Sequence, residues 1–157
     1  MKDLRQLLVP VLLPMATAWV RSQERRILAD GWPLDEAELR DAVSIGVRET
    51  NRIRILHVPR IPFPLPQLMK SLDRITGMRI EQTAGLTARY GIFIRADFRG
   101  DRRLLAHELA HTRQYERFGG IRPFLRQYLR ECLTTGYAAA NLEIEANAAA
   151  HEILMRP

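Results

Sequence analysis

Apolar residues recur at helical spacing along most of the chain, and only short segments show the pattern typical of strands. Helical spacing bounded by glycine, proline and capping residues indicates amphipathic helices. The pattern predicts helices over residues 15–29, 35–48, 67–75, 101–118, 123–132 and 141–155. Segments rich in β-branched and aromatic residues predict strands over residues 52–58, 78–83 and 90–98, with a turn at Gly85.

These elements indicate an α+β fold, in which a small, mostly antiparallel sheet of about three strands packs against several helices. Prolines concentrated in residues 59–66 predict a rigid extended connector between a strand and a helix. A chain of 157 residues can bury a core without disulfides. We therefore expect a single domain over residues 1–157, with a helical N-terminal arm at residues 1–30.

The segment His107-Glu108-Leu109-Ala110-His111 carries the strongest chemical signal in the chain. On an α-helix, residues i and i+4 lie on one face, so both imidazoles can bind a single Zn²⁺. The intervening glutamate then lies beside the open coordination position, where it can act as a general base. His107 and His111 are therefore predicted metal ligands, Glu108 is the predicted catalytic residue, and one Zn²⁺ is expected per chain.

A hydrolytic zinc site needs a third protein ligand and keeps its fourth position for water. The candidates lie on the alanine-rich helix predicted over residues 141–155. Glu143 is the preferred ligand, because Asn147 one turn later could then hydrogen-bond a metal-binding histidine. Glu145, on another face of that helix, is the alternative. The metal-site core is accordingly placed in residues 90–155.

The H-E-x-x-H segment together with Glu143-Ile144-Glu145-Ala146-Asn147 resembles the gluzincin class of zinc metallopeptidases. In that class a glutamate on a later helix, often in the form E-x-x-x-D, completes the zinc site. Here an asparagine stands where the class usually has aspartate. The chain also resembles minimal single-domain gluzincins and small bacterial H-E-L-x-H domains of unassigned role. The resemblance covers about residues 92–153 and implies a zincin-like fold.

The activity that the resemblance implies is hydrolysis of a peptide or protein substrate by a zinc-activated water, with Glu108 as general base. Groups that could stabilise the oxyanion belong to Tyr137, Tyr128 and Arg113. In gluzincins the strand before the motif helix is usually a sheet edge that lines the cleft. Residues 90–95 are therefore predicted to line the substrate site, with an ordinary interior strand as the alternative.

Two other functions stay open on the sequence. The first is a non-catalytic zinc-binding interaction or effector domain, which the asparagine in place of aspartate favours. The second is a basic nucleic-acid-binding protein, since the net charge is +6. Because the arginines are spread along the chain and no nucleic-acid-binding motif is present, nucleic acid is the least favoured partner.

The remaining sulfur and imidazole groups are expected to be structural. The single cysteine, Cys132, excludes an intramolecular disulfide framework and a cysteine-rich zinc site. Its helical surroundings predict a small buried residue. His57 is also expected to be structural. His151 is placed on the Glu143 face of the last helix and is a candidate for an indirect contact with the metal site.

The N-terminal apolar run, residues 7–14, gives a weak secretory-signal pattern. It is too short and too interrupted by proline to span a bilayer, which takes about 20 apolar residues. We expect it to form a helical arm that packs on the domain, with a signal or membrane-surface segment as the alternative. The sequence-based prediction for location is cytoplasmic.

Overall fold

The computed structural model describes residues 4–156, apart from the side chains of residues 4, 5 and 66. The first part of the predicted arm, residues 1–3, lies outside the described residues. The helices are α1 (Val9–Asp30), α2 (Glu36–Ile45), α3 (Pro66–Thr76), α4 (Arg102–Phe118), α5 (Ile121–Thr135) and α6 (Asn141–Leu154). The strands are β1 (Trp32–Pro33), β2 (Arg54–Val58), β3 (Gly85–Ala88) and β4 (Gly91–Arg95).

The predicted α+β class is confirmed, but the sheet is mixed and has four strands in the order β1-β2-β4-β3. The pairs β1–β2 and β3–β4 are antiparallel, whereas β2 and β4 are parallel, with Ile55 opposite Ile92. The prediction of about three strands missed β1, which is too short to leave a sequence pattern, and β3, whose first residue, Gly85, was predicted to lie in a turn. The strand predicted over residues 78–83 is wrong, because that segment contains a 3-10 turn, Ile80–Gln82.

Helices cover both faces of β4, which explains why this strand is an almost uninterrupted apolar run. Ile92 and Ile94 join the core formed with α2, α4 and α6. Phe93 points to the opposite face, where it packs in the core that includes Ile27 of α1. Gly91 permits this close contact, since a Cβ there would lie 2.8 Å from the Cβ of Ile27.

Small residues let α4 and α6 approach each other closely. Leu109 and Ala110 of α4 pack in one core with Ala146 and Ala150 of α6, and all four are buried. Alanine side chains keep interaxial separation small, so polar side chains on the facing surfaces can meet. This packing brings the histidines of α4 next to the first turn of α6.

The N-terminal helix α1 is longer than predicted and runs through Pro14. Its buried residues include Val9, Leu12 and Leu13, which pack near α5 and α3. Within residues 4–156, no helix has the length and apolar character needed to cross a bilayer.

The motif helix α4 has the boundaries that the sequence predicts. Asp101 caps its N-terminus, where one carboxylate oxygen accepts a hydrogen bond from the Leu104 N–H at 2.9 Å. Gly119 ends the helix in the left-handed region, with φ of +83°.

Loss of this cap should destabilise the fold without changing the metal ligands. Asp101→Ala is expected to lower the free energy of unfolding by about 1 kcal/mol, because one N-terminal N–H loses its acceptor. Urea denaturation measures the change. Arg103→Ala, at an exposed position of the same first turn, serves as the control. Equal stability of the two variants would contradict a stabilising role for the cap.

Candidate metal centre

Three potential ligand atoms converge between α4 and α6. His107 Nε2 lies 3.2 Å from Glu143 Oε2, and His111 Nε2 lies 3.3 Å from Glu143 Oε1. The two Nε2 atoms are 3.1 Å apart. The three side chains thus form a group close enough to bind one metal ion. Glu143 is 2% exposed and His111 is 7% exposed, so the group is largely shielded from solvent.

Hydrogen bonds to the other ring nitrogens orient both imidazoles. His107 Nδ1 lies 3.1 Å from Asn147 Oδ1, the contact expected from the sequence. His111 Nδ1 lies 2.8 Å from Gln114 Oε1. The Gln114 amide orientation is fixed because its Nε2 donates to the Leu142 carbonyl at 2.9 Å. Since both amide oxygens are acceptors, each Nδ1 carries a proton, and in the neutral form of each ring Nε2 directs a lone pair towards Glu143.

When both imidazoles are neutral, this arrangement favours a bound cation. Two Nε2 lone pairs and a carboxylate face one another at 3.1–3.3 Å, and acceptors that close repel unless a positive charge lies among them. Glu143 Oε2 is buried and, among the described residues, has no hydrogen-bond partner. Four ligands in a tetrahedron at zinc–nitrogen distances of 2.0–2.1 Å lie roughly 3.3 Å apart. The spacings from each Nε2 to the other, and from each Nε2 to its nearer Glu143 oxygen, are of this size and are compatible with one such metal ion.

His111 and Glu143 shift each other's pKa values. Burial acts to lower the pKa of His111, but its hydrogen bond to Glu143 and the carboxylate charge outweigh burial and raise that pKa to about 9. Burial would raise the pKa of Glu143, yet the two histidines beside its carboxylate lower it well below its usual range. A proton on His111 therefore neutralises the cluster when no metal is bound, and metal binding must displace that proton.

A tyrosine holds the second oxygen of the candidate ligand Glu143. The Tyr128 hydroxyl donates to Glu143 Oε1 at 2.7 Å, and burial together with this carboxylate raises the pKa of the phenol. Because Oε1 is engaged in this bond, the unpartnered Oε2 is the atom best placed to bind a metal.

Glu108 lines the same cavity as the three ligand side chains. It is buried, and the Thr87 hydroxyl lies 2.6 Å from its Oε2. Strand β3 passes directly beside the carboxylate: a Cβ on Gly85 would lie 2.5 Å from Glu108 Oε1. The glycine predicted as a turn is therefore a strand residue, and it is needed for this close approach.

Two cavities meet at His107 and Glu108. One has a volume of about 220 Å³ and extends past His111 and Glu143 between α1, α3 and α5. The other is a wider groove of about 390 Å³ that extends past Asn147 and the first turn of α4. Tyr137, in a 3-10 turn before α6, also lines both. The candidate site thus lies at the junction of an inner cavity and a more open groove.

The alternative ligand, Glu145, lies away from the cluster. Its carboxylate pairs with Arg113 at 2.8 Å and with Arg117 at 2.9 Å, and Gln114 also donates to it. Arg113 also donates to the Ile45 carbonyl. Because its guanidinium is held by these partners, its position does not support the predicted role as an oxyanion donor. The ion pairs explain this placement, because the arginines are on the α4 surface that faces Glu145.

The other sequence-based assignments have mixed outcomes. His151 is exposed and outside the metal group, and half-buried His57 lies on β2. Cys132 is buried as predicted, and burial raises the pKa of its thiol to about 12. The proposal that residues 90–95 line the substrate site as an edge strand is wrong. Strand β4 is interior, and β3 is the edge strand next to Glu108.

Three contributors to the site were missed by sequence reasoning: Gln114, Thr87 and Gly85. Gln114 follows His111 by three residues on the same helix, and this spacing is a usable signal for a side chain that contacts the histidine. Thr87 and Gly85 reach Glu108 only through the packing of β3 against α4, so no local sequence pattern predicts their contact with Glu108.

Neither a protein-family model, nor a curated protein, nor a solved structure matches the chain. The resemblance to gluzincins therefore rests on the motif residues alone and stays a prediction.

Asn147 offers a direct test of the hydrogen bond to His107, since its side chain is exposed and can be changed without opening the core. Asn147→Leu should weaken zinc binding about 10–100-fold, because the acceptor that orients the ring is lost. Asn147→Asp keeps the acceptor, adds negative charge and should bind zinc more tightly than wild type. Competition with a chromophoric chelator measures both dissociation constants.

The control for this pair is Asn141→Leu, at an exposed position of the same helix. Wild-type zinc affinity in both Asn147 variants would show that the contact does not support the metal site.

Proposed function

We propose that the protein is a zinc-dependent peptidase in which His107, His111 and Glu143 hold the metal and Glu108 is the general base. The observation that carries the proposal is the convergence of the three ligand atoms within one cavity that also contains the Glu108 carboxylate. Two imidazoles and one carboxylate are the donor set of hydrolytic zinc sites. The predicted cytoplasmic location stays an expectation from the sequence.

When bound, zinc supplies Lewis acidity, which lowers the pKa of a water molecule and polarises a carbonyl oxygen. Glu108 supplies the proton transfer. Thr87 engages Oε2, so Oε1 is the atom available to take a proton from the attacking water. As the carbon–nitrogen bond of the peptide breaks, the same oxygen delivers that proton to the leaving amine.

The edge strand β3 offers the backbone groups of Gly85 to an extended substrate, whereas the Thr87 carbonyl accepts a hydrogen bond from the Tyr115 hydroxyl at 3.2 Å. The Ala84 carbonyl accepts a hydrogen bond from the Arg95 N–H at 2.7 Å, so antiparallel alternation directs the backbone groups of Gly85 away from β4. A peptide added along this edge would pass Glu108. Tyr137 is the proposed oxyanion donor, because it lines both cavities at their junction.

A test of the proposal separates catalysis from metal binding. Glu108→Gln removes the base but leaves the three ligands, so bound zinc should stay at the wild-type level. The rate at which a peptide mixture is cleaved should fall about 100-fold or more. Peptide products are detected by mass spectrometry. Glu36→Gln, an exposed change on α2, is the matched control.

Zinc binding by a wild-type protein that cleaves no peptide would contradict the peptidase proposal and favour the non-catalytic zinc-binding domain. Equal cleavage by wild type and Glu108→Gln would exclude Glu108 as the base. Failure to bind zinc, with salt-sensitive binding of nucleic acid, would favour the third prediction.

A further inference from the structure

The inner cavity has walls that the metal ligands do not require. Besides α5, they come from α1, the proline-rich segment at residues 59–66, and α3. Most of these walls lie outside residues 92–153, to which the gluzincin resemblance extends. The N-terminal half of the chain therefore contributes a distinct part of the site.

The chemistry of the cavity changes along its length. One part of the lining consists of the ligand side chains and Glu108; the rest is mainly aliphatic, aromatic and methionine side chains, such as Met15, Trp19, Leu72 and Leu129. Among the described lining residues, no arginine, lysine or aspartate is present. A charged group placed there would lose its hydration without gaining an ionic partner, so the cavity selects against it.

The size and shape of the cavity suit a bulky apolar group. An apolar cavity of about 150 Å³ in a protein can bind benzene, and this one has a volume of about 220 Å³. One wall is flat, because the rings of Trp19 and Phe63 are stacked with centroids 6.4 Å apart and planes 9° from parallel. Methionines on the other walls can adapt their shape to a ligand.

The wider groove of about 390 Å³, here called the outer groove, has a different lining. Arg79, Gln82, Asp101 and Arg103 contribute polar and charged side chains to it. His107 and Glu108 lie at the boundary, so a substrate that reacts there extends into one apolar and one polar environment.

We propose that the inner cavity binds a large apolar side chain, aromatic or long aliphatic, of the residue next to the cleaved bond. This inference rests on the proposed peptidase function. It assigns substrate selection to α1, the proline-rich segment and α3, and it excludes substrates with a charged residue at that position.

Ala16 and Ala18 provide a matched pair for the test. Ala16 lines the cavity, whereas Ala18 is exposed on the same helix and outside the cavity. For wild type and Ala18→Phe, kcat/KM should be about tenfold higher or more for peptides with Phe, Leu or Met next to the cleaved bond than for peptides with Ala at that position. Ala16→Phe fills the cavity and should reverse this preference towards Ala.

Thermal unfolding checks that Ala16→Phe is folded. If it is not, the test uses Ala16→Leu, whose side chain is smaller but still occupies part of the cavity. Cleavage by wild type without preference for apolar residues, or an unchanged preference in the filled variant, would overturn the inference.

A second measurement does not depend on cleavage. Ligand-observed NMR with toluene as the probe should detect binding to wild type and to Ala18→Phe, and at least a tenfold weaker affinity in Ala16→Phe. If no peptide is cleaved, this result would still support an apolar ligand site in the inner cavity, while its assignment to a substrate side chain would fail together with the peptidase proposal. No toluene binding to wild type would overturn the inference whatever the peptide results are.

Discussion

Mutual repulsion among three acceptors is the constraint on which the site depends. His107 Nε2, His111 Nε2 and the Glu143 carboxylate face one another, and each imidazole is held in place by an amide oxygen on its far side. The protein stabilises this arrangement through the packing of alanines between α4 and α6, which leaves the side chains little room to separate. In the metal-free protein a proton on His111 relieves part of this repulsion, whereas a metal ion could bind all three side chains together.

Much of this site could be predicted from the sequence because its ligands lie on helices. The i, i+4 spacing of His107 and His111 fixes their common face, and the same period links Glu143 to Asn147. Asp101 and Gly119, the helix boundaries, follow from capping rules. The choice between Glu143 and Glu145 depended on which face of α6 meets α4, and the ion pairs of Glu145 with two arginines decide it.

The sheet was harder to predict, because strand order is a long-range property. Gly85 favours a turn locally, yet it lies in a strand since Glu108 leaves no space for a Cβ. Residues 90–95 form the most strand-like segment because β4 is covered on both faces. The strand is interior because it pairs with β2 on one side and with β3 on the other. The stacking of Trp19 on Phe63, distant in sequence, is likewise visible only in the fold.

The central claim is that His107, His111 and Glu143 form one metal site, and elemental analysis of the purified protein tests it most directly. We expect about one zinc per chain in wild type, a marked loss in Glu143→Gln, and the wild-type amount in Glu152→Gln, an exposed change on the same helix. Iron in place of zinc would point to another chemistry of the same donor set. No metal in wild type after zinc is added back, or full zinc content in Glu143→Gln, would contradict the account.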